Sequence, residues 1–204
     1  RAIQSALPKE VIISSDIGNN CAIGNAYPTF EEGRKYLAPG LFGPCGYGFP
    51  SIIGAKIGKP EVPVVGFAGD GAFGISMNEM TAIGREGWPP ITMVIFRNYQ
   101  WGAEKRNNTL WFEDNFVGTE LADNVSYAKI ATACGLLGEQ VFSMTELKEK
   151  LLEALKNQMS KKQTTFLEVL LNQGLGEPFR RDAMKKPVEV EGVKKSDMEK
   201  HQHA

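Results

Sequence analysis

Val62-Pro63-Val64-Val65-Gly66-Phe67-Ala68-Gly69-Asp70-Gly71 opens the stretch that decides the fold, and Ile91-Thr92-Met93-Val94-Ile95-Phe96-Arg97-Asn98 closes it. Each half is a continuous apolar run ending in polar residues, the pattern of a parallel strand covered on both faces. Between them Ile75, Met77, Met80, Ile83 and Gly84 recur at helical spacing, with Asn78, Glu79, Arg85 and Glu86 interleaved. Gly87-Trp88-Pro89-Pro90 then stops the helix, because proline cannot continue it. The unit is strand–helix–strand with a right-handed crossover, so its two strands run parallel.

As neighbours about 5 Å apart, the strands deliver Asp70 and Asn98 side by side at the carboxyl edge, where open α/β sheets bind ligands. The 26 residues between Gly71 and Asn98, 72–97, are what one helix and one returning strand need. One carboxylate, one amide oxygen and a backbone carbonyl, completed by two phosphate oxygens, suit Mg²⁺, whose bonds are about 2.0–2.1 Å long. Gly71 and Ala72 at the helix start offer N–H groups and the positive dipole end to a diphosphate. The same six residues, Gly69-Asp70-Gly71-Ala72-Phe73-Gly74, spell G-x-G-x-x-G, the dinucleotide fingerprint. Against that reading, Arg97 and Asn98 stand where an acid would hold the ribose. Asp70 would also face a pyrophosphate with no cation between them. A plain glycine turn accounts for the glycines but not for Asn98.

Gly-Asp-Gly followed at this distance by Asn resembles the signature of the thiamine diphosphate enzymes, in their diphosphate-binding domain. The resemblance implies that Asp70 and Asn98 are side-chain ligands of Mg²⁺ and that Gln100 gives its backbone carbonyl, as in relatives such as acetolactate synthase. The common pattern has two adjacent asparagines; here Arg97 takes the non-ligand position. Upstream, Ser15-Asp16-Ile17-Gly18-Asn19-Asn20 resembles the stretch that contacts the diphosphate, with Asn19 and Asn20 where acetolactate synthase has Gln-His. Residues 42–50, leading into a helix from Ser51, resemble the segment that holds the aminopyrimidine, which implies contacts from Gly43 and Cys45. Cys45 stands where many relatives place a bulky apolar wedge; a small buried thiol in a packed turn is the other reading. The implied cofactor set is Asn19, Asn20, Gly43, Cys45, Gly69, Asp70, Gly71, Ala72, Asn98 and Gln100.

Three further segments, 98–105, 116–121 and 176–183, resemble the sulfoacetaldehyde acetyltransferase branch. That likeness implies conversion of sulfoacetaldehyde and phosphate to acetyl phosphate and sulfite, with the cofactor as electron sink. Two small anions must then be bound, and arginine suits them because its planar fork donates paired hydrogen bonds. Arg180 and Arg181 are candidates, with Arg97, Lys105 and Arg106 nearer the metal motif; 104–109 reads as a polar loop where a solvated charge is the default. Trp101, Trp111 and Phe112 read as core or interface packing, with lining of the substrate pocket as the second reading for Trp101. The acid that activates the cofactor belongs, in this family, to a partner pyrimidine domain for which this chain has no room. No catalytic residue is therefore assigned here. The chain is expected to be the C-terminal domain of a longer enzyme or the smaller subunit of a split one, inactive alone and homo-oligomeric. Two alternatives stand beside this: a β-subunit or domain of another thiamine diphosphate lyase, such as a sulfopyruvate or other 2-oxo acid decarboxylase, and a non-catalytic cofactor-binding module.

The 204 residues suit one domain, 1–178, with a charged tail at 179–204. A net charge of −1 argues against nucleic-acid or membrane-surface partners. No apolar stretch reaches membrane-span length and no signal peptide is visible. Cys21, Cys45 and Cys134 lack metal-ligand spacing, which fits a reduced, cytoplasmic setting. His201 and His203 close the tail and read as disorder or a tag remnant. Ser126 is expected to cap a helix ending near Gly135, Gln140-Val141-Phe142 to form a strand, and Thr145 to start an amphipathic helix. Thr164 to Leu171 reads as a last buried strand, and 99–125 as a long loop that orders around cofactor or partner. The alternation of strands and helices predicts a doubly wound parallel sheet with helices on both faces.

Overall fold

A computed structural model describes residues 2–30, 33 and 35–174. Six strands form one sheet: Ile12–Ser15 (β1), Tyr36–Leu37 (β2), Val64–Gly69 (β3), Thr92–Arg97 (β4), Leu137–Val141 (β5) and Thr165–Leu170 (β6). Their order is β2-β1-β3-β4-β6-β5 and every pair is parallel. The helices are Ala2–Ala6 (α1), Asn19–Ala26 (α2), Gly48–Gly58 (α3), Asp70–Ser76 (α4), Met80–Ile83 (α5), Gly102–Trp111 (α6), Tyr127–Ala133 (α7) and Met144–Ser160 (α8).

Adjacent residues of the central strands go to opposite cores. Val64, Ala68, Met93, Ile95 and Phe166 pack on one face with Phe49 and Ile52 of α3, Phe73 of α4, Met80 of α5 and Ala131 of α7. Val65, Phe67, Val94, Leu167 and Val169 turn to the other face, against Ala6 of α1 and Leu147, Leu151 and Leu155 of α8. Both faces being covered, the strands need no polar alternation, which is why they read as continuous apolar runs. The doubly wound sheet is the one the sequence implies.

One polar side chain crosses this packing. Gln158 of α8 donates from Nε2 to Val64 O at 2.8 Å and Thr92 Oγ1 at 2.9 Å, and its Oε1 accepts from Val64 N at 2.9 Å. It satisfies the amino end of β3, where backbone groups would otherwise be buried unpaired. Ser126 Oγ caps α7 by accepting from Lys129 N at 3.3 Å, as expected. Ser143, not Thr145, caps α8 through Glu146 N at 3.2 Å, and Leu152 of that helix lies outside the apolar stripe, exposed.

Several expectations need correction. The helix after β3 starts at Asp70 itself and tightens into a 3₁₀ turn at Met77–Glu79 before α5 resumes. Its first turns are therefore out of phase with the later ones, and Ile75, expected on the inner face, is 60 % exposed. The 99–125 stretch is not a structureless loop: it holds the ten-residue α6 and an antiparallel bridge between Gln100 and Glu120. Lys105 and Arg106 consequently sit on a helix. β5 begins three residues earlier than expected and leaves Phe142 outside it, exposed. The likeness at 176–183, with Arg180 and Arg181, and the 179–204 tail with its histidines lie outside the described residues.

The order of the strands places a topological switch at β1 and β3, because the chain leaves β1 toward β2 and leaves β3 toward β4. Ligands of open α/β sheets lie beyond the carboxyl ends at such a point.

Candidate functional site

Asp16 follows β1, Asp70 follows β3 and Asn98 follows β4, so all three stand at this edge. The register that pairs Gly69 with Phe96 brings the last two together, as the sequence spacing implies. Asp70 is 2 % exposed. Its Oδ1 accepts from Gly71 N at 3.0 Å and its Oδ2 from Tyr99 N at 2.7 Å. Burial pushes the carboxyl up from its ordinary range, while the N–H groups of Tyr99 and Gly71 and the charge of Arg97 oppose that push. A cation beside the carboxylate would act in the same opposing sense.

Beside Asp70 lies the Asn98 amide. One of its terminal atoms is 3.1 Å from Gln100 O and 3.3 Å from Asp70 Oδ1. With nitrogen in that place, the amide donates to both, and its oxygen accepts from Gln100 Nε2 at 3.3 Å. With oxygen there, three oxygens face one another and no proton lies between them. The two separations from the Asn98 atom match the roughly 3.0 Å between adjacent ligands of an octahedral cation whose bonds are about 2.1 Å. A half-turn of one amide thus converts a self-satisfied cluster into the donor set that Mg²⁺ requires, so these residues fit such an ion. Gln100 O also accepts from Gly102 N at 2.9 Å, which fixes the direction of that carbonyl.

The neighbouring elements complete the edge. A side chain at Gly102 would meet the amides of Asn98 and Asn19 at 3.0 and 3.3 Å, so α6 must begin on glycine for those two residues to approach. Asn19 Oδ1 accepts from Arg106 NH1 of α6 at 3.2 Å. Asn20 Nδ2 donates to Asp16 O at 2.8 Å and to Ser15 Oγ at 3.1 Å, a role in shaping the turn after β1. Gly71 lies under the Trp101 ring, which a Cβ would meet at 2.7 Å. Trp101, half-buried, therefore packs on the Gly69-Asp70-Gly71 turn.

Asp16 stands at the same edge, although the sequence pattern assigns it no role of its own. It is fully buried, and its carboxylate accepts from Ile17 N at 2.9 Å, Gly46 N at 3.1 Å and Gly48 N at 2.8 Å. Burial raises its carboxyl and the four backbone N–H groups around it pull the other way. This side chain ties the 43–48 segment, with Gly43 and Cys45, to the end of β1. Its signal in the sequence was a carboxylate directly after a buried strand and ahead of a glycine-rich segment. Cys45 is exposed, which overturns the buried-thiol reading.

Arg97 is not a free anion-binding group. Its NH1 donates to Glu168 Oε1 at 2.6 Å, and NH2 donates to Ala122 O at 3.3 Å and Asp123 O at 2.9 Å, with both charged side chains buried. Lys105 pairs with Glu120. Trp111 and Phe112, expected in core or interface, are exposed at the end of α6. Among the described residues no group of three or more His, Cys, Asp or Glu side chains is placed to hold a metal, so any metal here depends on amide and carbonyl oxygens as well.

Comparison with known proteins bears on this edge. Residues 16–169 match the family model "Thiamine pyrophosphate enzyme, C-terminal TPP binding domain". The chain is 75 % identical over 198 residues to a probable sulfoacetaldehyde acetyltransferase of Rhizobium meliloti, covering 97 % of this chain and 33 % of that protein. It is 70 % identical over 202 residues to the sulfoacetaldehyde acetyltransferase of Roseovarius nubinhibens, covering 99 % and 33 %. The chain thus spans about a third of the length of the curated relatives it matches. Among solved structures, a thiamine diphosphate-dependent 4-hydroxybenzoylformate decarboxylase of Rhodococcus jostii RHA1 superposes with TM-score 0.76 at 18 % identity, over 86 % of this chain and 32 % of that one, which is a likeness of fold. With Gly69-Asp70-Gly71 and Asn98 meeting at the switch point of such a sheet, the chain belongs to the thiamine pyrophosphate enzymes, as their C-terminal TPP-binding domain.

Proposed function

We propose that this chain is the cofactor-binding part of an enzyme that converts sulfoacetaldehyde and phosphate to acetyl phosphate and sulfite. The observation that carries the reading is the 75 % identity to a probable sulfoacetaldehyde acetyltransferase across nearly the whole of this chain. Asp70, Asn98 and the carbonyl of Gln100 hold Mg²⁺ through the three convergent oxygens described above. Ala72 in the first turn of α4, with Gly69 and Gly71 keeping the backbone close, and Asn19 and Asn20 at the start of α2 face the diphosphate. The 43–48 segment, held by Asp16, presents Gly43 and Cys45 to the aminopyrimidine ring. When bound, thiamine diphosphate supplies a carbon nucleophile and an electron sink.

This chain's own residues bind and orient; they do not start the reaction. The acid that activates the cofactor comes from a pyrimidine domain elsewhere in the protein or in a partner subunit. Several apolar side chains on segments that meet the site, including Leu41, Phe42, Ile75 and Trp111, are exposed and support a covering partner, in a homo-oligomer. No described helix is long and apolar enough to cross a membrane, and a cytoplasmic setting goes with the three free cysteines.

Two measurements test the reading. Full-length enzyme given sulfoacetaldehyde should form acetyl phosphate only when inorganic phosphate is present, and phosphate-independent turnover would exclude the transferase. Asp70→Ala in the same enzyme should abolish Mg²⁺-dependent binding of thiamine diphosphate in a calorimeter, and undiminished affinity would sink the metal assignment.

A further inference from the structure

Arg97 sits in the residue position just before the Asn98 ligand, yet its charge is spent away from the edge. Its partner Glu168 is wholly buried and is saturated with donors: Ser126 Oγ at 2.7 Å, Gln140 Nε2 at 3.1 Å, and the N–H groups of Tyr127 and Ala128 at 3.2 Å each. Such a pair gives little net stability against an apolar replacement, because desolvating two charges offsets their attraction. Its surroundings point to another use.

The guanidinium lies over two aromatic rings, Tyr99 at 4.6 Å and Tyr127 at 5.6 Å from their centroids. Both tyrosines touch the metal carboxylate residue. Tyr99 N donates to Asp70 Oδ2 at 2.7 Å, and Tyr127 OH donates to Asp70 O at 3.1 Å. Tyr99 has φ 61°, a left-handed conformation that a residue with a bulky side chain adopts only at a cost. That turn aims its N–H at Asp70. The same guanidinium holds the carbonyls of Ala122 and Asp123, so it also fixes the segment whose Thr119 O accepts from Trp101 N at 2.8 Å and whose Leu121 N donates to Tyr99 O at 2.9 Å.

We propose that Arg97, anchored by Glu168, is a positioning residue for the cation: it clamps Tyr99 in its left-handed turn and Tyr127 against Asp70, and so sets the geometry of the Asp70 ligand. This rests on the reading of Asp70, Asn98 and Gln100 as the Mg²⁺ ligands. Residues that orient metal ligands typically change metal affinity about 10–100-fold when altered. The clamp has a signature that general stability lacks. Mg²⁺ demands near-ideal octahedral geometry, whereas Ca²⁺ accepts irregular sites. Loosening the clamp therefore weakens Mg²⁺ more than Ca²⁺.

The test uses full-length enzyme, titrated with Mg²⁺ or Ca²⁺ at saturating thiamine diphosphate, with binding followed by calorimetry and by tryptophan emission. Arg97→Lys keeps the charge but loses the planar fork and its stacking. It should lower Mg²⁺ affinity about ten-fold or more and shift the Mg²⁺/Ca²⁺ affinity ratio toward Ca²⁺. Tyr127→Phe removes one hydroxyl, leaves the ion pair intact, and should move the ratio the same way by a smaller factor; it decides the matter if Arg97→Lys does not fold. An unchanged ratio in the folded variants overturns the clamp. Asp70→Ala run in parallel separates the two claims: loss of Mg²⁺ binding there with unchanged ratios elsewhere defeats the clamp alone. Retained Mg²⁺ binding in Asp70→Ala defeats the ligand reading and the clamp with it.

Discussion

Gly71 shows how little room the edge leaves for change. A methyl group there would stand 2.7 Å from the Trp101 ring, closer than van der Waals contact permits, so Trp101 must move and the turn that carries Asn98 and Gln100 must move with it. Overpacking of this kind costs about 1–3 kcal/mol. Gly71→Ala should therefore leave the sheet folded, weaken Mg²⁺-dependent cofactor binding about ten-fold or more, and shift tryptophan emission; unchanged affinity would mean that the site does not feel Trp101. Glu168 supports a second residue-level expectation. Burial alone would raise its carboxyl, but Arg97, the Ser126 hydroxyl, the Ala128 N–H and the Gln140 amide bring it below its ordinary value. A carboxylate lowered on folding stabilises the protein above its unfolded pKa of about 4.3, and that contribution disappears as pH falls through the folded value. Glu168→Gln should be less stable than wild type near neutral pH, and the gap in melting temperature should narrow on acidification below about pH 4. A gap that stayed constant would remove the charge from the explanation.

Elements differ in how much of themselves they write into the sequence. β3, β4 and β6 were legible because each is buried on both faces and reads as an unbroken apolar run that ends where the site begins. α6 was not, because its large apolar residues are only the half-buried Leu110 and the exposed Trp111 at its end, which form no inward stripe. β2, with two residues, offers no period at all. Asp70 and Asn98 were readable as a pair from spacing along one crossover. Arg97 was not assignable, because its partner lies on the next strand, 71 residues on, and the two meet only through the β4–β6 register. Gln158 was hidden for a related reason: it occupies an inward position of α8 among leucines, and its purpose is set by the end of a distant strand. Gln158→Leu would leave Val64 N, Val64 O and the Thr92 hydroxyl without that partner. An unsatisfied buried group costs about 1–3 kcal/mol, so the melting temperature should fall by several degrees while cofactor affinity, set at the opposite end of the strands, stays put. A drop in affinity at unchanged stability would contradict this division between the two ends of the sheet.

At the scale of the molecule, the site is an open edge with an apolar rim. Phe42 is 97 % exposed and Val117 76 %, and the exposed Leu41, Trp111, Phe112 and Phe116 lie on the same two segments, the turn before Gly43 and the stretch from the last residue of α6 to Val117. Large apolar side chains gathered around a binding edge are the mark of a surface that another body covers. The chain spans about a third of its curated relatives, and on the proposed function the cover is a pyrimidine domain, a second copy, or both. Burying one such aromatic is worth about 1.5–3 kcal/mol, equivalent to a ten- to hundred-fold change in an association constant. Phe42→Asp replaces that gain with the cost of burying a charge. Its backbone lies next to Gly43, but its side chain makes no part of the domain's own core, so the domain should fold as before. On the proposed function the covering body closes over the cofactor, so in full-length protein this change should lower the assembly state in sedimentation and reduce retention of thiamine diphosphate together. Loss of cofactor with assembly intact would place Phe42 against the ligand itself, and assembly with full cofactor retention would show that the rim is covered by nothing.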